Sequence, residues 1–393
     1  MHEGSTLGER LASVRKRRGL TQRELARASG LSVSLIKKLE QGERNDVRIE
    51  TARKLAEALR VPTTMLISRG GDSDEAYPDI AKTWEPVRRA LVGQVPQPEE
   101  QSTPGGVREA LAELAPALTS HRYATVRDAL PALLRDADAL DDDEREGQRI
   151  RADILTTTGY LLTQTRQFAI AELTLLRAVD AAGDKLSAAA AADVLVWLYL
   201  RQGRLAEARE TAVRWADDIE PRFSRATVHE LILWGRFLLD ITNAAVRDNR
   251  PGEAEDALQL ATAAAARIGR EVQLHPHSQG VFGPVTVAYI RAESRVLTGQ
   301  PDRCLSIAES LPGQPPYPEL VSRLRHRLDV ANALAQVRRY PEAVASIREI
   351  QARAPEWLPQ QRYARDILGL IVDRRRTLTP EMRELADAVR LPL

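Results

Sequence analysis

A serine and two lysines near the start of the chain carry side chains suited to contact with a polyanion. Ser34, Lys37 and Lys38 supply hydroxyl and ammonium groups, which donate to phosphate oxygens and to acceptor atoms on base edges. Val33 beside them can make only an apolar contact, such as one with a thymine methyl group. Ser32 stands just before this set, where its hydroxyl can cap a helix. These residue types favour a DNA-contacting surface if a single helix presents them together.

The elements that must position these side chains are two short helices within Leu20–Gly42. Thr21 and Glu24 fit a capping box at the start of the first helix, and Gly30 can end it in the left-handed conformation. The second helix has an inward apolar stripe, formed by Leu35, Ile36 and Leu39. That stripe leaves the polar set facing outward, as in a helix-turn-helix unit. A plain helical hairpin is the alternative.

The pattern LTQxxLAxxxGLSxxxIxxLExG resembles the helix-turn-helix of XRE-type regulators, which include phage repressors. Ten positions match it, namely Leu20, Thr21, Gln22, Leu25, Ala26, Gly30, Ser32, Ile36, Glu40 and Gly42. The resemblance implies a five-helix, lambda-repressor-like domain over residues 1–69 that binds a double-stranded DNA operator. The DNA-binding residues that it implies are Gln22, Ser32, Val33, Ser34, Lys37, Lys38 and Arg48.

Within that set, Gln22, Lys37 and Arg48 are expected at phosphates, whereas Val33, Ser34 and Lys38 occupy the base-reading positions. The same resemblance places Arg15 beside Glu40, on the first and third helices.

The other helices of this domain have their own start signals. Thr6 and Glu9 make a capping box for the first helix. A fourth helix is expected from about Arg48 to Leu59, and a short fifth one from Pro62.

Charge divides the chain unevenly. Residues 1–69 contain 15 Lys and Arg against 8 Asp and Glu, whereas the remaining residues contain 41 against 47. A basic head on an acidic body fits a phosphate-binding module joined to a part that avoids DNA.

A linker is expected over residues 70–105, because Arg69–Glu75 is rich in glycine and acidic residues and 95–106 contains three prolines. A short helix over Ile80–Leu91 interrupts it, and Trp84 on that helix is a candidate for docking onto the following domain.

Residues 106–393 predict a TPR-like α-solenoid, so the whole chain is expected to be all-α. Small residues recur after short turns, at spacings near or above the 34 residues of a TPR unit. They are Ala171, Ala208, Ala254, Cys304 and Ala343. A small side chain at this point lets two antiparallel helices pack closely. A non-repetitive bundle is the alternative, since the spacings are irregular and Pro251 and Pro301 replace the usual bulky residue.

The segments VFGPVTVAYIRAESRVLTGQ and RHRLDVANALAQVRRYPEAVASIREIQARAPEWL resemble actinobacterial regulators that join an XRE-type head to a TPR-like body. One departure is Thr286, where that resemblance leads us to expect asparagine.

A concave groove lined by the first helix of each pair is the expected ligand site of such a body. Aligning the pairs on their small residues places a polar and aromatic set on that face. The set comprises Tyr160, Gln164, Asp193, Trp197, Arg201, Arg236, Asn243, Arg247, Tyr289, Glu293, Asn332 and Gln336. Asn243 and Asn332 share one repeat position and could hold a peptide backbone. The resemblance to peptide-pheromone receptors allows a peptide effector, a small molecule is the alternative, and a groove filled only with water also remains open.

Other classes of function lack support in the sequence. The single cysteine, Cys304, cannot form an intrachain disulfide, which fits a cytoplasmic location. No apolar run reaches the roughly 20 residues of a membrane span. His275 and His277 have no nearby ligand to complete a metal site. No enzyme motif is visible, and no cofactor is expected.

These features together predict a transcriptional regulator whose body forms a homodimer and senses an effector. A TPR-like protein-interaction scaffold with accessory DNA binding is the alternative.

Overall fold

The computed structural model describes residues 6–44, 47–67, 82–93, 101–140, 145–274, 280–311, 320–375 and 377–391. Within these residues the chain is all-α, as expected, apart from one small two-stranded sheet that was not predicted. Val272–Gln273 (β1) pairs antiparallel with Val281–Phe282 (β2), with Val272 opposite Phe282. None of the helices in these ranges is long and apolar enough to cross a membrane.

The N-terminal domain contains the expected helices around its own apolar core. They are α1 (Leu7–Arg17), α2 (Gln22–Ser29), α3 (Val33–Glu40) and α4 (Ile49–Leu59). Both predicted capping boxes are present, at the starts of α1 and α2, and Gly30 ends α2 with a φ of 69°. The fifth helix is a single 3₁₀ turn, Thr63–Met65.

The predicted linker contains a helix that belongs to the body. Helix α5 (Glu85–Leu91) follows Trp84, and Trp84, Val87 and Leu91 are all buried in the same core as the helices after residue 104. The docking role expected for Trp84 is therefore structural packing. Ile80 lies outside the described residues.

Six antiparallel helical pairs follow, in the order expected of a solenoid. They are α6 (Pro104–Thr119) with α7 (Tyr123–Asp138), α8 (Arg145–Gln164) with α9 (Phe168–Ala181), α10 (Lys185–Gln202) with α11 (Leu205–Asp218), α12 (Val228–Arg247) with α13 (Pro251–Ile268), α14 (Pro284–Leu297) with α15 (Pro301–Ser310), and α16 (Leu320–Gln336) with α17 (Tyr340–Arg353). A 3₁₀ turn (Leu358–Gln360), α18 (Arg362–Val372) and α19 (Pro380–Ala388) complete the body.

One turn geometry closes all six pairs. Each turn has a residue in the left-handed conformation two positions before the second helix. The amide of this residue donates to the carbonyl three residues earlier in the chain. The amide of the following residue donates to the carbonyl five residues before that residue. This pair of bonds is the Schellman arrangement. The left-handed residues are His121, Arg166, Gly203, Asn249, Gly299 and Arg338. The glycines at 203 and 299 were predictable as helix ends, whereas the non-glycine residues at the other four turns conceal the repeat.

The five predicted small residues are all buried, and each lies on the second helix of its pair. Pro251 and Pro301 are the first residues of α13 and α15, where the missing amide proton costs nothing. These prolines therefore start helices and do not interrupt the repeat.

Candidate nucleic-acid interface and effector cavity

The outward face of α3 presents the predicted DNA-reading set. Ser32 caps the helix by accepting a hydrogen bond from the Leu35 amide at 3.1 Å. Val33, Ser34, Lys37 and Lys38 are all exposed, whereas Ile36 and Leu39 on the other side of the helix are buried. Val33 keeps 41% of its surface accessible although it is apolar, which leaves it available for a thymine methyl group.

Glu40 holds three helices of the domain together. The Arg15 guanidinium on α1 donates to Glu40 through Nε at 2.6 Å and through a terminal nitrogen at 2.8 Å. Gln22 on α2 donates its amide to the same carboxylate at 2.8 Å. Burial alone would raise the pKa of Glu40, but hydrogen bonds from Arg15 and Gln22 outweigh it and lower that pKa. The expected Arg15–Glu40 pair is thus present.

Gln22 and Arg48 have protein partners in this structure, although the resemblance assigns both to phosphates. The Gln22 side chain binds Glu40, so the predicted phosphate contact would have to use the Gln22 backbone amide at the start of α2. Arg48, the residue before α4, forms an ion pair of 3.1 Å with Asp366 on α18. The predicted phosphate contact of Arg48 would therefore compete with a contact to the body.

The head is attached to the body at the end of α12. The Thr63 hydroxyl donates to the Arg247 carbonyl at 2.9 Å, and the Thr64 amide donates to the Asp248 carboxylate at 2.8 Å. Asn249 donates its amide to the Val61 carbonyl at 3.2 Å. The buried Asp248 carboxylate also accepts from Arg250 at 2.6 Å. This junction uses the 3₁₀ turn of the head and leaves the outward face of α3 uncovered.

A cavity of about 850 Å³ lies where the concave face of the body meets the head. Its body walls come mainly from α8, α10, α12, α14 and α16, the first helices of their pairs, together with α18 and the segment before it. Its head wall includes Leu7, Arg10, Ile49 and Arg53. A volume of this size is typical of small-molecule or short-peptide sites.

The cavity brings together most of the predicted groove residues. Those that line it are Tyr160, Gln164, Asp193, Trp197, Arg201, Arg236, Asn243, Arg247, Tyr289 and Glu293. Thr286, the departure from the resemblance, also lines it, and its hydroxyl donates to Glu271 at 2.6 Å.

Asn332 and Gln336 are not part of the lining, in contrast to the prediction. Asn332 donates to the Tyr363 hydroxyl at 2.8 Å, and Gln336 donates to Asn332 at 3.3 Å. Tyr363 itself lines the cavity, so Asn332 holds the hydroxyl of a lining residue and Gln336 in turn holds Asn332. The expected pairing of Asn243 with Asn332 across a peptide backbone is therefore absent from this arrangement.

Two groups of ion pairs lie in the charged part of the cavity wall. Arg236 binds Asp193 through Nε at 3.0 Å and through a terminal nitrogen at 2.6 Å. Glu293 accepts from Arg247 at 2.5 Å and from Arg325 at 3.5 Å. Burial would raise the pKa of Glu293, but the two guanidinium groups lower it below its usual value.

Several buried polar atoms in the lining have no hydrogen-bond partner. They are Gln164 Oε1, Arg201 Nε, Asp240 Oδ2, His326 Nδ1 and Trp357 Nε1. Unsatisfied buried polar atoms are costly in a folded protein and often mark ligand positions. Asp240, His326 and Trp357 were missed in the sequence because neither a motif nor the repeat alignment distinguishes them.

Metal binding has no support among the residues that the structure describes, since they contain no cluster of three or more His, Cys, Asp or Glu arranged around an ion. His275 and His277 lie outside those residues. Cys304 is a free, buried thiol, and burial raises its pKa to about 12.

Residues 11–66 match the family model described as Helix-turn-helix. Over 72 residues the chain is 38% identical to the HTH-type transcriptional repressor RghR of Bacillus subtilis, and over 75 residues it is 37% identical to the uncharacterized HTH-type regulator RghRB of the same organism. These alignments cover 18% and 19% of this chain, and the chain spans about half the length of each relative, 53%.

Among solved structures, the crystal structure of Bacillus thuringiensis PlcR in complex with the peptide PapR7 and DNA aligns with 88% of this chain and 98% of its own. The identity is 12% and the TM-score is 0.36. The family match and the geometry of α2 and α3 make the N-terminal domain an XRE-type helix-turn-helix domain. The six helical pairs that follow it form a TPR-like body.

Proposed function

We propose that this protein is a DNA-binding transcriptional regulator in which the body senses a small effector. The observation that carries the proposal is the shared cavity, which has walls from both the body and the DNA-binding domain. A molecule bound there touches the head directly, so its binding energy can depend on where the head sits.

DNA recognition is assigned to the outward face of α3. Ser34 and Lys38 are placed on base edges, Val33 on a thymine methyl, and Lys37 on a phosphate, as the exposure of these side chains permits. One head of this size contacts few base pairs, so we propose that two chains act as a homodimer on half-sites about one helical turn apart.

The proposed mechanism is a population shift between head positions. The Thr63, Thr64 and Asn249 contacts hold the head at the end of α12, and the Arg48–Asp366 pair adds a contact on α18. An effector that prefers one arrangement of the cavity wall changes the spacing of paired heads, and hence their fit to two half-sites.

The assignment of the reading face is tested by selecting bound duplexes from a random pool with the full-length protein. The double variant Ser34→Ala with Lys38→Ala should lose preference for the selected sequence, because each lost base contact costs about 1–3 kcal/mol of discrimination. Gel filtration should show the same assembly as for the parent protein.

Lys54→Ala is the matched control, because it removes an exposed lysine of α4, outside the α2–α3 unit. It should retain the selected sequence preference. An unchanged sequence preference of the double variant would reject the assigned surface. The absence of any preferred duplex for the parent protein would reject the proposed function as a regulator.

A further inference from the structure

One end of the cavity contains a partly buried guanidinium group whose partners are neutral. Arg201 donates to the Gln361 side-chain oxygen at 2.9 Å and to the Gln360 carbonyl at 3.5 Å, and its Nε has no partner. Burial, with the nearby charges of Arg325 and Arg166, lowers the pKa of Arg201 to about 9. A buried cation without a counter-charge is costly, so an anion at this position would stabilise the site.

A second donor lies in the same wall. The Trp357 side chain is fully buried, and its indole N–H has no partner. Gln361 contacts both residues, since it accepts from the Arg201 guanidinium and donates to the Trp357 backbone carbonyl at 3.2 Å. Two unpartnered donors in one wall suit a carboxylate, which accepts through two oxygens.

Two neighbouring carboxyl groups lie further along the wall. Asp240 hydrogen-bonds Asp193, which already binds Arg236. One oxygen of Asp240 has no partner. Two carboxyl groups can hydrogen-bond only if one is protonated. Burial and the Asp193 charge raise the pKa of Asp240 well above its usual value. A ligand amine beside Asp240 would donate to the free oxygen, and its positive charge would favour loss of the Asp240 proton, so that the amine meets a carboxylate.

The two ends are separated by a defined distance along α10. Asp193 and Arg201 are eight residues apart on this helix, which corresponds to about 12 Å. Trp197 lies between them, with its ring stacked on Tyr160 at 5.4 Å and an interplanar angle of 23°. An extended chain of about four residues spans such a distance, with the aromatic pair beneath it.

We infer that the cavity binds a linear ligand with a carboxylate at Arg201 and Trp357 and a protonated amine at Asp240 and Asp193. A peptide of about four residues with both ends free is the simplest member of this class. This inference rests on the proposed function of the cavity as the effector site. It differs from backbone recognition by paired asparagines, because here the two chain ends carry the recognition.

The probe is tetra-alanine, which offers a backbone and two charged ends without larger side chains. Its binding to the full-length protein is measured by intrinsic tryptophan fluorescence, to which Trp197 and Trp357 in the cavity contribute. Forms with an acetylated amino end or an amidated carboxyl end are measured in the same way. Free tetra-alanine should bind at millimolar concentration or below, and either cap should weaken binding by about tenfold or more, the cost of one lost charged hydrogen bond.

Two cavity variants test the two ends separately. Arg201→Met should bind the free and the amidated peptide equally while still discriminating against the acetylated one. Asp240→Asn should show the reverse pattern. Arg214→Met, at an exposed position outside the cavity, is the matched control and should behave as the parent protein. Misfolding would weaken all peptides together and would not produce this crossed pattern.

Selection of DNA from a random pool in parallel separates the two proposals. A preferred duplex together with equal binding of capped and free tetra-alanine, or with no peptide binding at millimolar concentration, overturns the inference and leaves the regulator intact. The absence of any preferred duplex overturns the proposed function, whatever the peptides do.

Discussion

At the scale of single residues, Glu40 connects three helices of the helix-turn-helix domain. Its carboxylate receives Arg15 and Gln22 from two other helices, and both members of the ion pair are largely buried. Removing one partner of a buried pair leaves the other charge unsatisfied. The position of α3, and hence of its outward face, is therefore fixed by this one acceptor.

Glu40→Gln should destabilise the domain by about 2–4 kcal/mol at pH 7, because the charged acceptor for Arg15 is lost. The pKa of Glu40 is lowered in the folded state, so its contribution is present above the unfolded pKa and disappears as the pH falls through the folded value. The difference between parent and variant should shrink below about pH 4. Amide hydrogen exchange of α1 and α3 in the full chain, corrected for intrinsic rates, measures it.

Glu43→Gln is the control for this comparison, since Glu43 is exposed after the same helix. It should leave the exchange of α1 and α3 unchanged. A gap between parent and Glu40→Gln that stays constant from pH 7 to pH 3 would contradict the role assigned to the carboxylate.

The residue scale also shows what sequence reasoning can reach. The capping residues Thr6, Thr21 and Ser32 were predictable, because a cap acts within three or four residues of chain. The polar end of the cavity was not, because Arg201 meets Gln361, 160 positions further along the chain. Contacts of that range depend on how the solenoid coils, and no local pattern encodes it.

At the scale of elements, the packing of α1 on α3 requires a glycine. A Cβ atom at Gly8 would lie 2.1 Å from the Leu39 carbonyl oxygen, far inside van der Waals contact. The absence of a side chain thus allows the two helices to approach, which brings Arg15 within reach of Glu40.

Gly8→Ala should destabilise the domain by about 2–3 kcal/mol, since backbone must move to admit the methyl group. Operator affinity should fall with it, because α3 shifts relative to α2. Hydrogen exchange of α3 and duplex binding measure the two effects. Gly252→Ala on α13 is the matched control, because a Cβ there meets no atom within 4 Å, and it should be neutral or slightly stabilising.

The helical pairs show why the repeat was only partly predictable. The five buried small residues on second helices identified five of the six pairs. The turns that close them share one backbone geometry, but Arg166, Asn249 and Arg338 occupy positions where glycine is usual. Because the packing of each pair outweighs the cost of the left-handed conformation at these residues, the sequence alone suggests irregularity where the backbone is regular.

At the scale of the whole molecule, the junction at Asp248 joins the head to the body. Asp248→Ala removes the acceptor of the Thr64 amide and of Arg250. We expect amide exchange in residues 61–66 to accelerate by about tenfold or more, as a charged hydrogen bond is lost. Asp217→Ala, at an exposed position on α11, should leave this exchange unchanged.

The same variant connects the junction to regulation. If the head moves freely, duplex binding should persist while any effect of a cavity ligand on that binding is lost. A variant that keeps the ligand response despite faster exchange would show that the coupling takes another route, such as the Arg48–Asp366 pair. This arrangement could not be read from the sequence, because its contacts join residues 184 positions apart in the chain.

The shared wall of the cavity has a consequence in the opposite direction. Coupling between two sites is reciprocal in free energy. If a ligand enclosed by the body and the head changes the affinity of the protein for DNA by some factor, binding to the operator changes the affinity of the protein for the ligand by that same factor. Protein bound at an operator would then release its ligand at a different concentration from protein that is free of DNA.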